Sequence, residues 1–195
     1  MKKRLGPLER LFPMPCVLVV GGTIELADAL TVAWINVIAS TPPTVAMGLR
    51  RTRRTLVLIR ENGDFTVNVP DTRMVEAVDY CGISSGRSTD KFVDAGLTLE
   101  PSTLVTAPII AECPYNLECR VTGETEVGEY VVVLGEIVET HADERILRAG
   151  TDIIEMDLLD PLSYIAGARE YRAIGRKVAD AYSVGKSLKP TADDA

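Results

Sequence analysis

The sequence predicts a mainly β fold with α additions, of the β-barrel class. Three observations predict it. Short runs rich in β-branched residues recur along the chain, most of them broken by Gly, Pro or Asn. Helical spacing is confined to a few brief stretches. No regular βαβ alternation is present to build a parallel sheet.

Pro15 to Val20 is an apolar run ending at Gly21-Gly22, which predicts a buried strand and a turn. Thr31 to Val37 is β-branched and holds the single tryptophan, Trp34; Thr44 to Leu49 follows Pro42-Pro43 as a further strand. The period then changes. Thr52 to Arg60 sets Thr55, Leu56 and Ile59 at helical spacing, and Asn62-Gly63 stops the helix. Asp64 to Val69 alternates, with Phe65, Val67 and Val69 on one face. Asp71 caps a helix through Tyr80, Gly82 to Gly86 is a polar linker, and Ser88 or Thr89 caps a short helix carrying Lys91 and Phe92. Leu104 to Ala111, Tyr115 to Thr122 and Glu129 to Thr140 are candidate strands, with turns at Thr122-Gly123 and Val127-Gly128. Past Asp160-Pro161, Tyr164 to Arg172 and the tail read as a peripheral helix or arm.

Composition narrows the function classes. The 195 residues fit one ordinary domain, and 46% apolar with 25% charged residues is the balance of a packed protein. The longest apolar runs, Val17 to Val20 and Val131 to Leu134, fall far short of the roughly 20 residues a membrane span needs. The basic N-terminus is not followed by an apolar signal core, so a cytoplasmic location is the expectation. A net charge of −7 argues against general nucleic-acid binding. The four cysteines contain no CxxC pair, so a zinc or iron–sulfur site is not expected; buried, reduced thiols are, with Cys81 the one candidate for redox work because it adjoins a glycine-rich turn. His141, the single histidine, lies in a polar stretch and reads as a surface residue.

Within this acidic chain, Arg50, Arg51, Arg53 and Arg54 crowd into five positions. They form either a solvated loop or a site for a small phosphate, whose oxygens match guanidinium in geometry and charge. A second stretch, Cys81 to Phe92, is rich in glycine and hydroxyls. Together the two offer hydroxyls at Thr31, Ser40, Thr55 and Ser88, glycine amides, the cations of Arg50 and Lys91, and a helix N-terminus near Ser88. Trp34 could cover a planar ring. The Rossmann glycine fingerprint, the Walker lysine motif and the GxSxG elbow are all absent.

The order of these motifs carries more than any one of them. It runs Thr-x-Ala-Trp, Pro-Pro, a strand ending in Arg, Arg-x-x-Thr-x-x-x-Ile, Asp-Phe-x-Val-Asn, then Cys-Gly-x-x-Ser-Gly-Arg-x-x-Asp-Lys-Phe. This order, continued through Ala107-Pro108-Ile109, Leu117-Glu118-Cys119 and Gly135-Glu136-Ile137, resembles the flavin reductase-like family over about residues 13 to 165. The resemblance implies an FMN-binding split β-barrel and a homodimer that holds FMN in a groove between subunits. Residues 1 to 195 then form one domain, with an arm from about residue 166. It places Thr31 near the phosphate or ribityl chain, Trp34 beside the flavin, Arg50 and Thr55 on the phosphate side, and Lys91 at the family's flavin-binding lysine. Ser85 and Gly86 shape the adjoining loop, and Asp28, Ser40, Tyr130 and Tyr164 complete the implied cofactor-binding set.

Two positions depart from the family pattern. Asp28 stands where asparagine is common, and Tyr130 where histidine often is. An ionised Asp28 cannot donate a hydrogen bond and would repel phosphate, so it is expected to meet ribityl hydroxyls or solvent. The implied function is electron transfer through FMN between a small-molecule or protein donor and an acceptor. The alternatives are an NAD(P)H-dependent flavin or ferric reductase and a non-catalytic flavin-binding module.

Overall fold

The apolar run Val17 to Val20 lies in a strand buried on both faces. The computed structural model, which describes residues 1–188, contains twelve strands and four α-helices. In chain order they are β1 (Met14–Pro15), β2 (Val17–Gly22), β3 (Ala27–Val32), β4 (Ile35–Ser40), β5 (Pro43–Arg50), α1 (Arg54–Asn62), β6 (Asp64–Val69), α2 (Val75–Ile83), α3 (Lys91–Ala95), β7 (Leu99–Glu100), β8 (Ile109–Ile110), β9 (Tyr115–Val127), β10 (Tyr130–Ala142), α4 (Met156–Leu159), β11 (Leu162–Ile165) and β12 (Glu170–Ala173). Seven strands form one antiparallel sheet in the order β3-β2-β6-β9-β10-β5-β4. Side chains from all seven meet in a single core with Leu56 and Ile59 of α1, so the sheet curls around its own inner face. β2 shows why its run is continuous. Val17 and Val19 point into that core, while Leu18 and Val20 point into a second core with Val78 and Cys81 of α2, Ile110 and Leu162.

α1 packs directly on β2. A side chain at Gly21 would bring a Cβ to 2.8 Å from Ile59 Cγ1 and 3.0 Å from the Thr55 carbonyl. Gly21 and Gly22 are therefore strand residues that admit a helix, not the predicted turn, which comes later at Thr23 to Leu26. The helix stop is as predicted: Gly63 caps α1 with φ 76° and donates its N–H to the Ile59 carbonyl.

Other expectations shift. The predicted strand Thr31 to Val37 breaks at Ala33-Trp34, leaving β3 and β4 on opposite edges of the sheet. α2 runs past Tyr80 into the predicted linker. Asp90, not Ser88 or Thr89, caps α3, its carboxylate accepting from the N–H groups of Phe92 and Val93. Thr122-Gly123 is a bulge inside the long β9–β10 ribbon, whose true turn is at Gly128. Tyr164 to Arg172 is neither helix nor free arm: β11 pairs with β1 and β12, because strand pairing and burial of Tyr164 against Tyr171 override helical propensity. The remainder of the predicted arm after residue 188 lies outside the described residues.

Of the predicted strand Leu104 to Ala111, only Ile109–Ile110 pairs. Two buried carboxylates take the preceding loop instead. Glu118 accepts from the N–H groups of Thr103 and Leu104, both at 2.6 Å, and Asp64 accepts from Thr106 and Ala107. His141 completes this arrangement with Nε2 2.6 Å from Glu118 Oε1, so it is half-buried and engaged, not a free surface residue. Burial pushes the Glu118 carboxyl up, but the Thr103 N–H, the His141 ring and the Leu104 N–H outweigh burial and hold it below its ordinary range.

A carboxyl held low in the folded state stabilises the protein at neutral pH, and that contribution disappears as pH falls from the ordinary value of 4.5 through the lower folded one. Glu118→Gln is therefore expected to cost about 1–3 kcal/mol at pH 7 and to flatten the acid limb of a stability–pH profile followed by urea unfolding. An unchanged acid limb would show that Glu118 does not set it.

Candidate functional site

Three chain segments meet at one end of the curled sheet: the start of α1, the loop between α2 and α3, and the inner edge strands. The meeting point is Asp28 on β3. Its Oδ2 accepts from Thr55 Oγ1 at 2.5 Å, and its Oδ1 lies 3.1 Å from Lys91 Nζ at the start of α3. The Lys91 ammonium also donates to the Ala29 carbonyl at 2.6 Å. Both charged side chains are buried, at 4% and 3% exposed. Asp28 is thus not solvated, the second of its expected surroundings, and Thr55 turns inward to it. The Gly86 backbone lies against the Asp28 carboxylate so closely that a Cβ there would overlap it. From the other side, Arg54 Nη1 donates to the Gly86 carbonyl at 2.7 Å, tying the loop to the first turn of α1.

Above this buried hub is a polar cleft of about 440 Å³, lined by Asp28, Arg50, Thr52, Arg53, Arg54, Ser84, Ser85, Gly86 and Lys91. Its walls are the two loops that the sequence marks, one rich in guanidinium and one in hydroxyls. The start of α1 contributes as well: Arg53, the residue before the helix, offers no side-chain cap, so first-turn N–H groups have no capping acceptor from it. Arg53 itself makes no side-chain hydrogen bond or ion pair among the described residues.

Arg50 and Arg53 also line a second hollow of about 160 Å³, with Thr31, Trp34, Gly48 and Tyr130. Arg50 and Tyr130 are cross-strand neighbours on β5 and β10. The Arg50 Nε donates to the Tyr130 hydroxyl at 3.0 Å, and the Tyr130 ring stands 4.8 Å from the Trp34 ring. Trp34 is 38% exposed, so one side of this aromatic pair faces outward. Thr31 donates its hydroxyl proton to the Val78 carbonyl of α2, so it has no hydroxyl proton left for a ligand.

Of the residues picked from sequence, Asp28, Thr31, Trp34, Arg50, Thr55, Ser85, Gly86, Lys91 and Tyr130 gather at these joined hollows. Ser40 and Tyr164 do not. Ser40 is exposed at the far end of β4, opposite Pro43, and Tyr164 packs on Tyr171 over the second core. Thr52 and Ser84 line the cleft but were not singled out, and Arg53 and Arg54 entered only as members of the arginine cluster, outside the implied cofactor-binding set. The fold divides that cluster. Arg51 turns away to Glu126 and the Gly128 carbonyl, while Arg50, Arg53 and Arg54 face the cleft. Cys81 is fully buried, and burial pushes its thiol up to about 11, which leaves it protonated and inert.

The mainly β sheet curls on itself with α1 against its inner face and α2 over its outer one, and a cationic cleft joins an aromatic hollow at one end. The model of the flavin reductase like domain matches residues 8–175, and the chain belongs to that family. Its fold is that of the split-barrel members. Flavoredoxin of Desulfovibrio vulgaris (Miyazaki F) superposes with a TM-score of 0.90 at 34% identity, covering 95% of this chain and 100% of that one. Flavoredoxin from Methanosarcina acetivorans superposes at 0.89 with 31% identity, over 97% and 100%. An uncharacterized protein of Archaeoglobus fulgidus is 36% identical over 137 residues, 70% of this chain and 77% of the relative.

Gly86→Ala would force a methyl group onto Asp28. It is expected to destabilise the protein by about 1–3 kcal/mol, whereas Gly175→Ala, where nothing lies within 4 Å, should leave the melting temperature unchanged. The native thiols give a second check. All four cysteines are buried and free, so Ellman's reagent should react with none before unfolding and with all four after it.

Proposed function

We propose that this protein binds FMN and transfers electrons through it, as a flavoprotein of the flavoredoxin type. The observation that carries the reading is the two-part cleft: three guanidinium groups and a helix start at one end, an aromatic pair at the other, joined by Arg50 and Arg53. The residues fit the cofactor. A phosphate monoester is met by Arg53 and Arg54, the first N–H groups of α1 and the hydroxyls of Ser84 and Ser85, with Arg50 between it and the ring. A planar ring is met by Trp34 and Tyr130. When bound, FMN supplies the redox chemistry, and the protein's part is to hold, orient and tune it. Side chains that could act as acid or base are scarce at the ring end, where Tyr130 already receives the Arg50 N–H.

The ring end is small. At about 160 Å³ it falls below the roughly 300 Å³ at which small-molecule pockets begin. A second subunit would supply the missing wall. β4 is an edge strand whose Val37 and Ile38 are exposed and whose Trp34 neighbour stands open, the kind of apolar edge that another chain covers. A homodimer built on this edge completes the groove.

Purified protein is expected to be a dimer by light scattering and to take up FMN with flavin absorption. Arg50→Gln should weaken FMN binding by about 1.5–3 kcal/mol, roughly ten- to a hundredfold. Trp34→Ala should change the fluorescence of bound flavin with little loss of stability, because the indole is partly exposed. Anaerobic mixing with NADH and NADPH separates the two redox variants: bleaching by either makes the protein a reductase, and bleaching by neither leaves the carrier. A colourless protein that takes up no FMN would defeat the whole reading.

A further inference from the structure

Lys91 stands at the position where the family resemblance places a flavin-binding cation, yet its surroundings describe a different task. We propose that Lys91 is a positioning residue that never touches the phosphate, and that Arg53 and Arg54 are the cations that hold it. This rests on the FMN reading and goes beyond it. The Lys91 ammonium has three protons; one is donated to the Ala29 carbonyl, and Asp28 Oδ1 sits 3.1 Å away. The side chain is 3% exposed, and its charge is cancelled by the only carboxylate that lines the polar cleft among the described residues. A neutralised pair has little attraction left for a dianion.

The pair instead joins parts of the fold. Through Asp28, Lys91 of α3 is connected to Thr55 of α1 and to β3, and the Gly86 backbone rests on the same carboxylate. That sets the spacing between the Ser84 to Gly86 loop and the start of α1, which is the width of the cleft. Among the described residues, the unneutralised cations at that width are Arg53, whose side chain has no partner, and Arg54, whose side chain has only the Gly86 carbonyl. Arg50 is exposed, and its guanidinium is shared with Tyr130 and with Glu129 at 3.5 Å. Two free guanidinium groups match the two charges of a phosphate monoester.

A positioning lysine and a phosphate-binding lysine differ in what rescues their loss. Removing Lys91 alone leaves a buried carboxylate unpaired, whereas removing both charges does not. The test is fluorescence titration of FMN and of riboflavin, which lacks the phosphate, into apoprotein, together with apoprotein melting temperatures. Arg53→Gln should weaken FMN at least tenfold and leave riboflavin within about twofold. Lys91→Met should lower the melting temperature and weaken both flavins together. The double variant Asp28→Asn, Lys91→Met should recover most of the melting temperature and bind FMN within about threefold of wild type, and it decides the matter if Lys91→Met does not fold. A double variant that folds but loses FMN tenfold while keeping riboflavin would overturn the proposal, and so would one no more stable than Lys91→Met. If wild-type protein binds neither flavin, the FMN reading fails, and the melting temperatures still decide whether Lys91 is a strut.

Discussion

A single buried ion pair organises the functional end of this protein. Asp28 and Lys91 are 63 positions apart in the chain, and each would be costly to bury alone. Together, with Thr55 donating to the same carboxylate, they tie β3, α1 and α3 at one point. The two loops that wall the cleft are placed from there. The Gly86 backbone reaches the hub because it has no side chain, and Arg54 holds the loop from the opposite wall. The cost of burying charge is offset by complete pairing: among the described residues no buried side-chain nitrogen or oxygen lacks a hydrogen-bond partner.

The same economy of charge shapes the cleft's selectivity. An acidic protein of net charge −7 repels small anions at long range, so the phosphate site of the proposed FMN reading has to be made locally. The fold does this by sorting a run of arginines. Arg51 is pulled outward by Glu126, while Arg53 and Arg54 pair with no carboxylate among the described residues. Cationic density is thereby concentrated where α1 begins and where backbone N–H groups also point. At the ring end the protein offers aromatic surface and an arginine hydrogen-bonded to a tyrosine, a site suited to a flat, polarisable ligand.

The buried cores explain which local signals could be trusted. Asp64 to Val69 reads as a strand and is one, because its alternation matches one inner and one outer face of the curled sheet. The helix ending at Asn62-Gly63 is equally plain, since periodicity and stop signal agree. Leu104 to Ala111 misleads for a physical reason: its backbone N–H groups are taken by the side chains of Glu118 and Asp64, residues distant in sequence that no local pattern can announce. Gly21-Gly22 misleads likewise. The pair has the composition of a turn, but its use is to let Ile59 approach.

What the sequence by itself determined is the class of fold and the chemistry available: alternating and β-branched runs, a stop after α1, and an ordered set of motifs that belongs to the flavin reductase-like family. These are legible because hydrophobic period and motif order are properties of neighbouring residues. The tertiary structure decided which members of those motifs meet and what each one faces. It turned Thr55 and Lys91 inward to Asp28, left Arg53 and Arg54 for the cleft, and set Ser40 and Tyr164 apart from it. That division could not be read locally, because the direction of a charged side chain is set by the nearest opposite charge in space, and the chain brings that charge from another element.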